Sequence, residues 1–224
     1  MTHIDFLENA QSIFESFPNE QVWAQGGLQP KRQLQKPEAG YCVVFRYDEK
    51  ITSVITHFMA KIHSTLPNLL TYNAENLHTT IGTYGKTDMK EFVSDSTIIR
   101  RLEESLEKGL SGHSGNILIE FGKWLYNEEA ILIPGYPNQE LWHLIQSIGN
   151  ICQENGLSLD MGRIMHITTA RFTENVSFQT FEAFSSIMKT APVLNGVKPI
   201  AIDLATWSCD GLIFNLIPHK HFIL

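Results

Sequence analysis

The stretch Asn76 to Gly85, NLHTTIGTYG, alternates as a half-buried strand does. Leu77, Thr79, Ile81 and Thr83 fall on one side, and His78, Thr80, Gly82 and Tyr84 on the other. Such a strand needs a core against its first face and leaves an imidazole and a hydroxyl together on its second. Ile164 to Phe172, IMHITTARF, repeats the device. There His166, Thr168, Ala170 and Phe172 share one face, and Met165, Ile167 and Thr169 the other. Two strands, each offering His-x-Thr, can line one cleft.

The triplet by itself is a short pattern. With 9 His in the chain and Ser or Thr at roughly one position in seven, about one His-x-Ser/Thr is expected by accident, and there are three. The third, His63-Ser64-Thr65, sits in a stretch of helical periodicity, where residues two apart point in nearly opposite directions. The other two lie in alternating runs at comparable places in the two halves of the chain. Taken singly, each motif is equally well read as a core histidine satisfied by backbone partners, with threonines that simply favour strands.

The rest of the chain supplies the frame. Residues 3 to 17 place Ile4, Leu7, Phe14 and Phe17 at near-helical spacing, with Thr2 as N-cap and Pro18 as stop. Residues 18 to 40 read as an irregular connection, so residues 1–40 form an N-terminal helical and irregular extension to a domain spanning 41–224. Tyr41 to Tyr47 is a central strand. Glu49 to Leu66 is a helix with Ile51, Val54, Ile55, Phe58, Met59 and Ile62 on one face, closed by Pro67. After the His78 strand come a helix within 88–110, a hairpin around Asn127-Glu128-Glu129, and a helix over Asn138 to Asn155 capped by Gly156. The His166 strand, a helix over Phe178 to Met188 and a closing hairpin across Cys209-Asp210-Gly211 complete the chain. The order strand, helix, His-x-Thr strand occurs once in each half. It predicts an α+β fold of two antiparallel-sheet lobes with outer helices, related by a pseudo-two-fold axis around a central cleft.

Composition narrows the function. A net charge of -7 and a pI near 5.7 argue against a grip on long nucleic acid through its phosphates. A small anionic substrate remains compatible. The only basic cluster, Lys31-Arg32 with Lys36, reads as a solvated loop. No apolar run reaches the ~18 residues of a membrane span, and the N-terminus lacks a signal-peptide pattern. Cys42, Cys152 and Cys209 give neither a disulfide framework nor a zinc pattern, as in a reducing cytoplasm, and read as buried filler. His219-Lys220-His221 reads as an exposed tail, and His3, His57, His113 and His143 belong to no motif. Asp160 and Asp210 sit in turns, and a Gly-x-Ser-x-Gly nucleophile elbow is absent.

Two histidines across a cleft suit in-line displacement at a phosphodiester. One takes a proton from the attacking oxygen and the other gives one to the leaving oxygen, each worth about 10²- to 10⁴-fold. The hydroxyls of Thr80 and Thr168 can then donate to non-bridging oxygens as charge builds. Tyr84 and Phe172, on the histidine faces, can stack a base or pack the cleft wall. This scheme calls for no metal and no cofactor, and it places a bell-shaped pH profile between about pH 5 and 8.

Leu77-His78-Thr79-Thr80-Ile81 and Met165-His166-Ile167-Thr168 resemble the paired hydrophobic-His-x-Ser/Thr-hydrophobic signature of the 2H phosphoesterase superfamily, which includes 2'-5' RNA ligase-like proteins and cyclic phosphodiesterases. The resemblance covers about residues 41 to 217. It implies a bilobal fold with His78 and His166 as the catalytic pair and Thr80 and Thr168 as phosphate ligands. Arg171 stands where an arginine often follows the second motif. Thr83 departs from the aromatic that relatives often carry, Thr169 from an apolar residue, and residues 1–40 have no counterpart. The implied activity is metal-independent hydrolysis of a nucleotide 2',3'-cyclic phosphate or a 2'-5' phosphodiester. Two alternatives stay open: 2'-5' end joining of RNA, and a nucleotide-binding module without turnover. The implied partner is a small nucleotide or short oligonucleotide. The near-symmetry of the motifs leaves acid and base unassigned.

Overall fold

The computed structural model describes residues 1–17, 36–112 and 115–224. Residues 18–35 of the irregular connection expected over 18–40, the Lys31-Arg32 cluster and His113 lie outside the described residues. Five helices are present among them: α1 (His3–Glu15), α2 (Glu49–His63), α3 (Ser96–Leu110), α4 (Gln139–Glu154) and α5 (Phe178–Met188). Each starts where a short polar side chain answers an otherwise orphaned N–H. The caps are Thr2, Asp48, Asp95, Asn138 and Ser177, and Thr2 with Asp5 closes a reciprocal capping box.

The strands form two antiparallel sheets. The first contains β1 (Glu38–Arg46), β3 (Thr79–Asp88), β7 (Asp160–Met161), β10 (Ala201–Cys209) and β11 (Phe214–Ile223), in the order β11-β10-β1-β3-β7. The second contains β2 (Leu70–Thr71), β4 (Ile119–Phe121), β6 (Ala130–Pro137), β8 (Met165–Arg171) and β9 (Gly196–Val197), in the order β2-β8-β6-β4-β9, with β5 (Leu125–Tyr126) also paired to β6. The expected α+β architecture of two antiparallel sheets is borne out. No helix of the described residues is long and apolar enough to cross a membrane.

The two halves repeat one order: β1-α2-β2-β3 and β6-α4-β7-β8. Each half gives its two-residue strand to the other half's sheet. β2 pairs with β8, and β7 pairs with β3. A single large core runs under both sheets and includes Phe45, Ile55, Met59, Ile62, Leu102, Leu106, Ile131 and Phe184.

Several elements differ from the sequence expectation. β1 begins at Glu38, inside the segment assigned to the extension, because Ala39 and Gly40 pair with Ser208 and Trp207. β3 runs on to Asp88 and delays α3 to Ser96. β11 carries on through His219-Lys220-His221, so these residues are not a tail. Pro218 is tolerated there because β11 is an edge strand.

α1 buries Phe6, Ala10 and Phe14 rather than Ile4, which is 65% exposed. Its inner face meets the second half of the chain. Phe6 lies 4.7 Å from Trp142, Phe14 5.9 Å from Tyr136, and the His3 ring nitrogen Nε2 2.7 Å from the Pro137 carbonyl. Phe6→Ala should therefore cost about 3–5 kcal/mol in urea denaturation, as for other buried phenylalanines. A loss under about 1 kcal/mol would mean that α1 is an appendage the core does not need.

Candidate active site

The His-x-Thr strands do not keep strict alternation, and the departure builds the site. In β3, Thr80 pairs with Val44 and Gly82 with Val43, which leaves Ile81 as an extra residue in the ladder. In β8, Thr168 pairs with Leu132 and Ala170 with Ile131, which leaves Thr169 extra. A one-residue bulge shifts every later side chain to the opposite face. Both bulges fall three residues after the motif histidine.

The residue five places after each histidine is thereby turned inward. A cleft of about 260 Å³ is lined by His78, Thr80 and Thr83 from β3 and by His166, Thr168 and Arg171 from β8. Tyr72, Asp160, Trp207 and Phe214 complete its walls, with Glu38 and Lys86 at one end. Of the residues expected at the site, five are gathered here: His78, Thr80, His166, Thr168 and Arg171.

Two are not, and the bulges are the reason. Tyr84 is turned out of the cleft and lies 6.3 Å from Tyr41 among the partly buried residues on the core. Phe172 is 2% exposed and meets Phe184 edge-on at 5.7 Å. Neither is placed to stack a base. Thr83 stands where strict alternation puts Tyr84, and Arg171 stands where it puts Phe172. The equal five-residue spacing from each histidine was the available signal. Tyr72, Trp207 and Phe214 had none, since each comes from a distant segment.

The motif residues facing the other way are buried and satisfied. The Thr79 hydroxyl lies 2.6 Å from that of Tyr47, and the Thr169 hydroxyl donates to the Ile131 carbonyl at 3.1 Å. This accounts for a polar residue at the buried position 169.

His78 and Arg171 are held in place by their neighbours. His78 Nδ1 lies 2.6 Å from the Asn76 carbonyl and donates to it, which leaves Nε2 for the cleft. The Phe214 ring stacks on the His78 ring at 5.2 Å and on Trp207 at 5.1 Å. His166 Nδ1 is buried without a partner among the described residues, so Nε2 is the nitrogen that can meet a ligand. Arg171 Nε donates to the Tyr72 hydroxyl at 3.0 Å, and that hydroxyl donates to the Leu212 carbonyl at 3.3 Å.

Both imidazoles are held below their ordinary range, at about 4. For His78 the first cause is desolvation by the cleft walls, followed by the nearby charges of Arg46 and His166. The Asn76 carbonyl opposes both. For His166 the causes are desolvation and then Arg171. The three cysteines are buried and unpaired, and no group of three or more His, Cys, Asp or Glu among the described residues is arranged to hold a metal.

No family model matches the sequence, and no curated protein matches it. Solved structures do. Escherichia coli LigT in its apo form superposes with a TM-score of 0.55 at 18% identity, over 84% of this chain and 98% of LigT. LigT complexed with phosphate gives a TM-score of 0.52 at 19% identity, over 85% and 99%. A conserved protein of unknown function from Agrobacterium tumefaciens gives 0.53 at 10% identity, over 84% and 89%. The fold of this chain is that of LigT.

The depressed histidines set a stability window. Each is neutral in the folded protein down to about pH 4, while an unfolded chain protonates it near 6.5. The unfolded state therefore binds more protons between these values, and stability is lost as pH falls from 6.5 to 4. The loss is on the order of a few kcal/mol for the pair. Urea midpoints across that range should slope more steeply in the wild type than in a His78→Asn/His166→Asn double variant. Parallel slopes would show that the imidazoles are not depressed.

Proposed function

We propose that this chain is a metal-independent phosphoesterase of the 2H type. It hydrolyses a nucleotide 2',3'-cyclic phosphate or a 2'-5' phosphodiester by two-histidine acid/base catalysis. The observation that carries this reading is the convergence of two His-x-Thr strands, with Arg171 beside them, on one cleft. The shared fold adds support. LigT has been solved with phosphate and with 3'-AMP, and a further protein of this fold is named a phosphoesterase.

In the proposed step a water oxygen attacks phosphorus while one imidazole Nε2 takes its proton. The P–O bond to the leaving oxygen breaks as the other Nε2 protonates it. Thr80 and Thr168 donate to the non-bridging oxygens, and Arg171 offsets their negative charge. His78 is better built to carry the proton, because its Nδ1–H already has the Asn76 carbonyl as acceptor. At His166 the corresponding Nδ1 has no acceptor among the described residues in either form, and a hydrogen bond from a charged ring is stronger than one from a neutral ring. On this reading His78 is the acid and His166 the base.

The depressed imidazoles revise the pH expectation. The free protein holds one protonated histidine chiefly near pH 4 rather than between 5 and 8. kcat/KM should therefore fall about tenfold per unit as pH rises from 5 to 7. The descending limb of kcat should lie at higher pH, because a bound phosphodiester anion favours the imidazolium. A kcat/KM that climbs steadily to pH 8 would refute the scheme.

Incubating the purified chain with cyclic and 2'-5' linked nucleotides in EDTA is the direct test. Turnover should survive the chelator. His78→Ala and His166→Ala should each remove most of it while circular dichroism stays unchanged. Thr80→Ala and Thr168→Ala should cost about 10- to 100-fold, the loss of a hydrogen bond to a charged group. His63→Ala, on the exposed side of α2, should cost nothing. Activity abolished by EDTA and restored by Mn²⁺ or Zn²⁺ would sink the two-histidine mechanism.

A further inference from the structure

A line of polar side chains crosses four neighbouring strands of the first sheet and ends at the peptide in front of His78. On the edge strand β11, His221 Nδ1 lies 2.6 Å from Oδ1 of Asp203, its ladder partner on β10. Asp203 Oδ2 lies 3.4 Å from Arg46 Nε, at the end of β1. Arg46 Nη1 donates to the Leu77 carbonyl at 3.3 Å. His78 is the next residue.

The residue types suit that geometry. Asp203 is 8% exposed, and a carboxylate so buried is tolerated only if it is paired. Arg46 pairs with it through one nitrogen and reaches a backbone carbonyl through another. A guanidinium can do this because its donors are splayed in a fixed plane, whereas a lysine offers one point charge on a flexible stem. The Leu77 carbonyl lies where the chain enters β3, and Leu77 itself is 1% exposed. The arginine fixes this peptide from the sheet side, while the Asn76 carbonyl and the Phe214 ring hold the imidazole itself.

Arg46 also puts a positive charge beside the His78 ring. The charges that act on that ring are Arg46 from β1, with Asp203 of β10 behind it, and His166 from β8, while Arg171 of β8, Asp160 of β7, Glu38 of β1, Lys86 of β3 and Tyr72 line the same cleft. Phe214 from β11 contributes only an apolar face.

We propose that Arg46 is a positioning residue. Braced by Asp203 and His221, it holds the Leu77 peptide and thereby fixes the aim and proton affinity of the His78 imidazole. The functional part of this proposal rests on reading His78 as a catalytic group, but its first readout needs no turnover.

The test is a histidine ring NMR titration of the full chain, paired with steady-state kinetics on a 2',3'-cyclic nucleotide, for Arg46→Lys and Arg46→Met. In Arg46→Met the His78 midpoint rises by about 0.5 to 1 unit as the neighbouring charge is lost. The His166 midpoint stays put, and kcat falls about tenfold with little change in KM. In Arg46→Lys the charge remains and the His78 midpoint holds, yet kcat still falls because the carbonyl is no longer gripped. Arg100→Met, which removes an exposed cation on α3, moves neither midpoint. Wild-type kcat in Arg46→Lys would overturn the positioning role. Equal movement of both histidine midpoints in Arg46→Met would overturn it too, since that is general loosening. If no variant and no wild-type protein turns over, the function proposed above fails, while the selective shift at His78 still decides the electrostatic coupling.

Discussion

Two backbone carbonyls tie the halves of this molecule together. Ile81 and Thr169 are the bulged residues of the two motif strands, and a bulge leaves polar groups that its own ladder does not satisfy. Buried carbonyls must find partners. The Ile81 oxygen accepts from Gly162 N at 3.2 Å, just past β7, and the Thr169 oxygen accepts from Tyr72 N at 2.9 Å, just past β2. Each donor belongs to the other half. The irregularity that turns Thr83 and Arg171 inward is thus made tolerable by a segment from across the cleft, and the cleft geometry is a joint property of both lobes.

The cleft walls serve two ends that pull against each other. Enclosing His78 and His166 in apolar and cationic surroundings keeps both imidazoles neutral at pH 7, which spares the fold the cost of buried charge. The proposed chemistry at a phosphodiester needs one of them protonated. An incoming anion supplies the missing charge, because its negative oxygens favour the imidazolium that the empty walls disfavour. Affinity and proton uptake are then linked, and a neutral analogue of the same shape gains nothing from the histidines.

The sequence carried the lobes, the order of the main elements and the pairing of the two motifs, because each rests on local signals: alternation, helical spacing and caps. Its limits were those of the two-residue strand repeat. That repeat assigned Tyr84 and Phe172 to the cleft, and a single inserted residue in each strand sent both to the core. Nothing in Ile81 or Thr169 announces a bulge. The β-branched side chain at each is as good a strand former as its neighbours. The short strands β2 and β7 were equally hidden, since two residues carry no period, and they form only because the other half offers them an edge. The network through Arg46, Asp203 and His221 joins positions nearly 180 residues apart in the chain, and His221 reads as part of a polar tail until β11 pairs with β10.

The pseudo-two-fold arrangement is also broken beyond the histidines. His78 answers His166 and Thr80 answers Thr168, but five residues after the histidines one strand carries Thr83 and the other Arg171. Register sharpens the difference. Thr83 pairs with Asp160, a carboxylate on the cleft wall, whereas Arg171 pairs with Leu70 and is steadied by the Tyr72 hydroxyl. One side of the cleft therefore attracts negative charge and the other repels it. The histidines alone separate an attacking oxygen from a leaving one only through the Asn76 contact, which favours His78 as the proposed acid. In the proposed reaction a phosphodiester anion drawn toward Arg171 would strengthen that distinction, because it would present its two ester oxygens to the histidines in one order. In the proposed reaction the asymmetry at position five adds to that of the Asn76 contact in giving the site a direction.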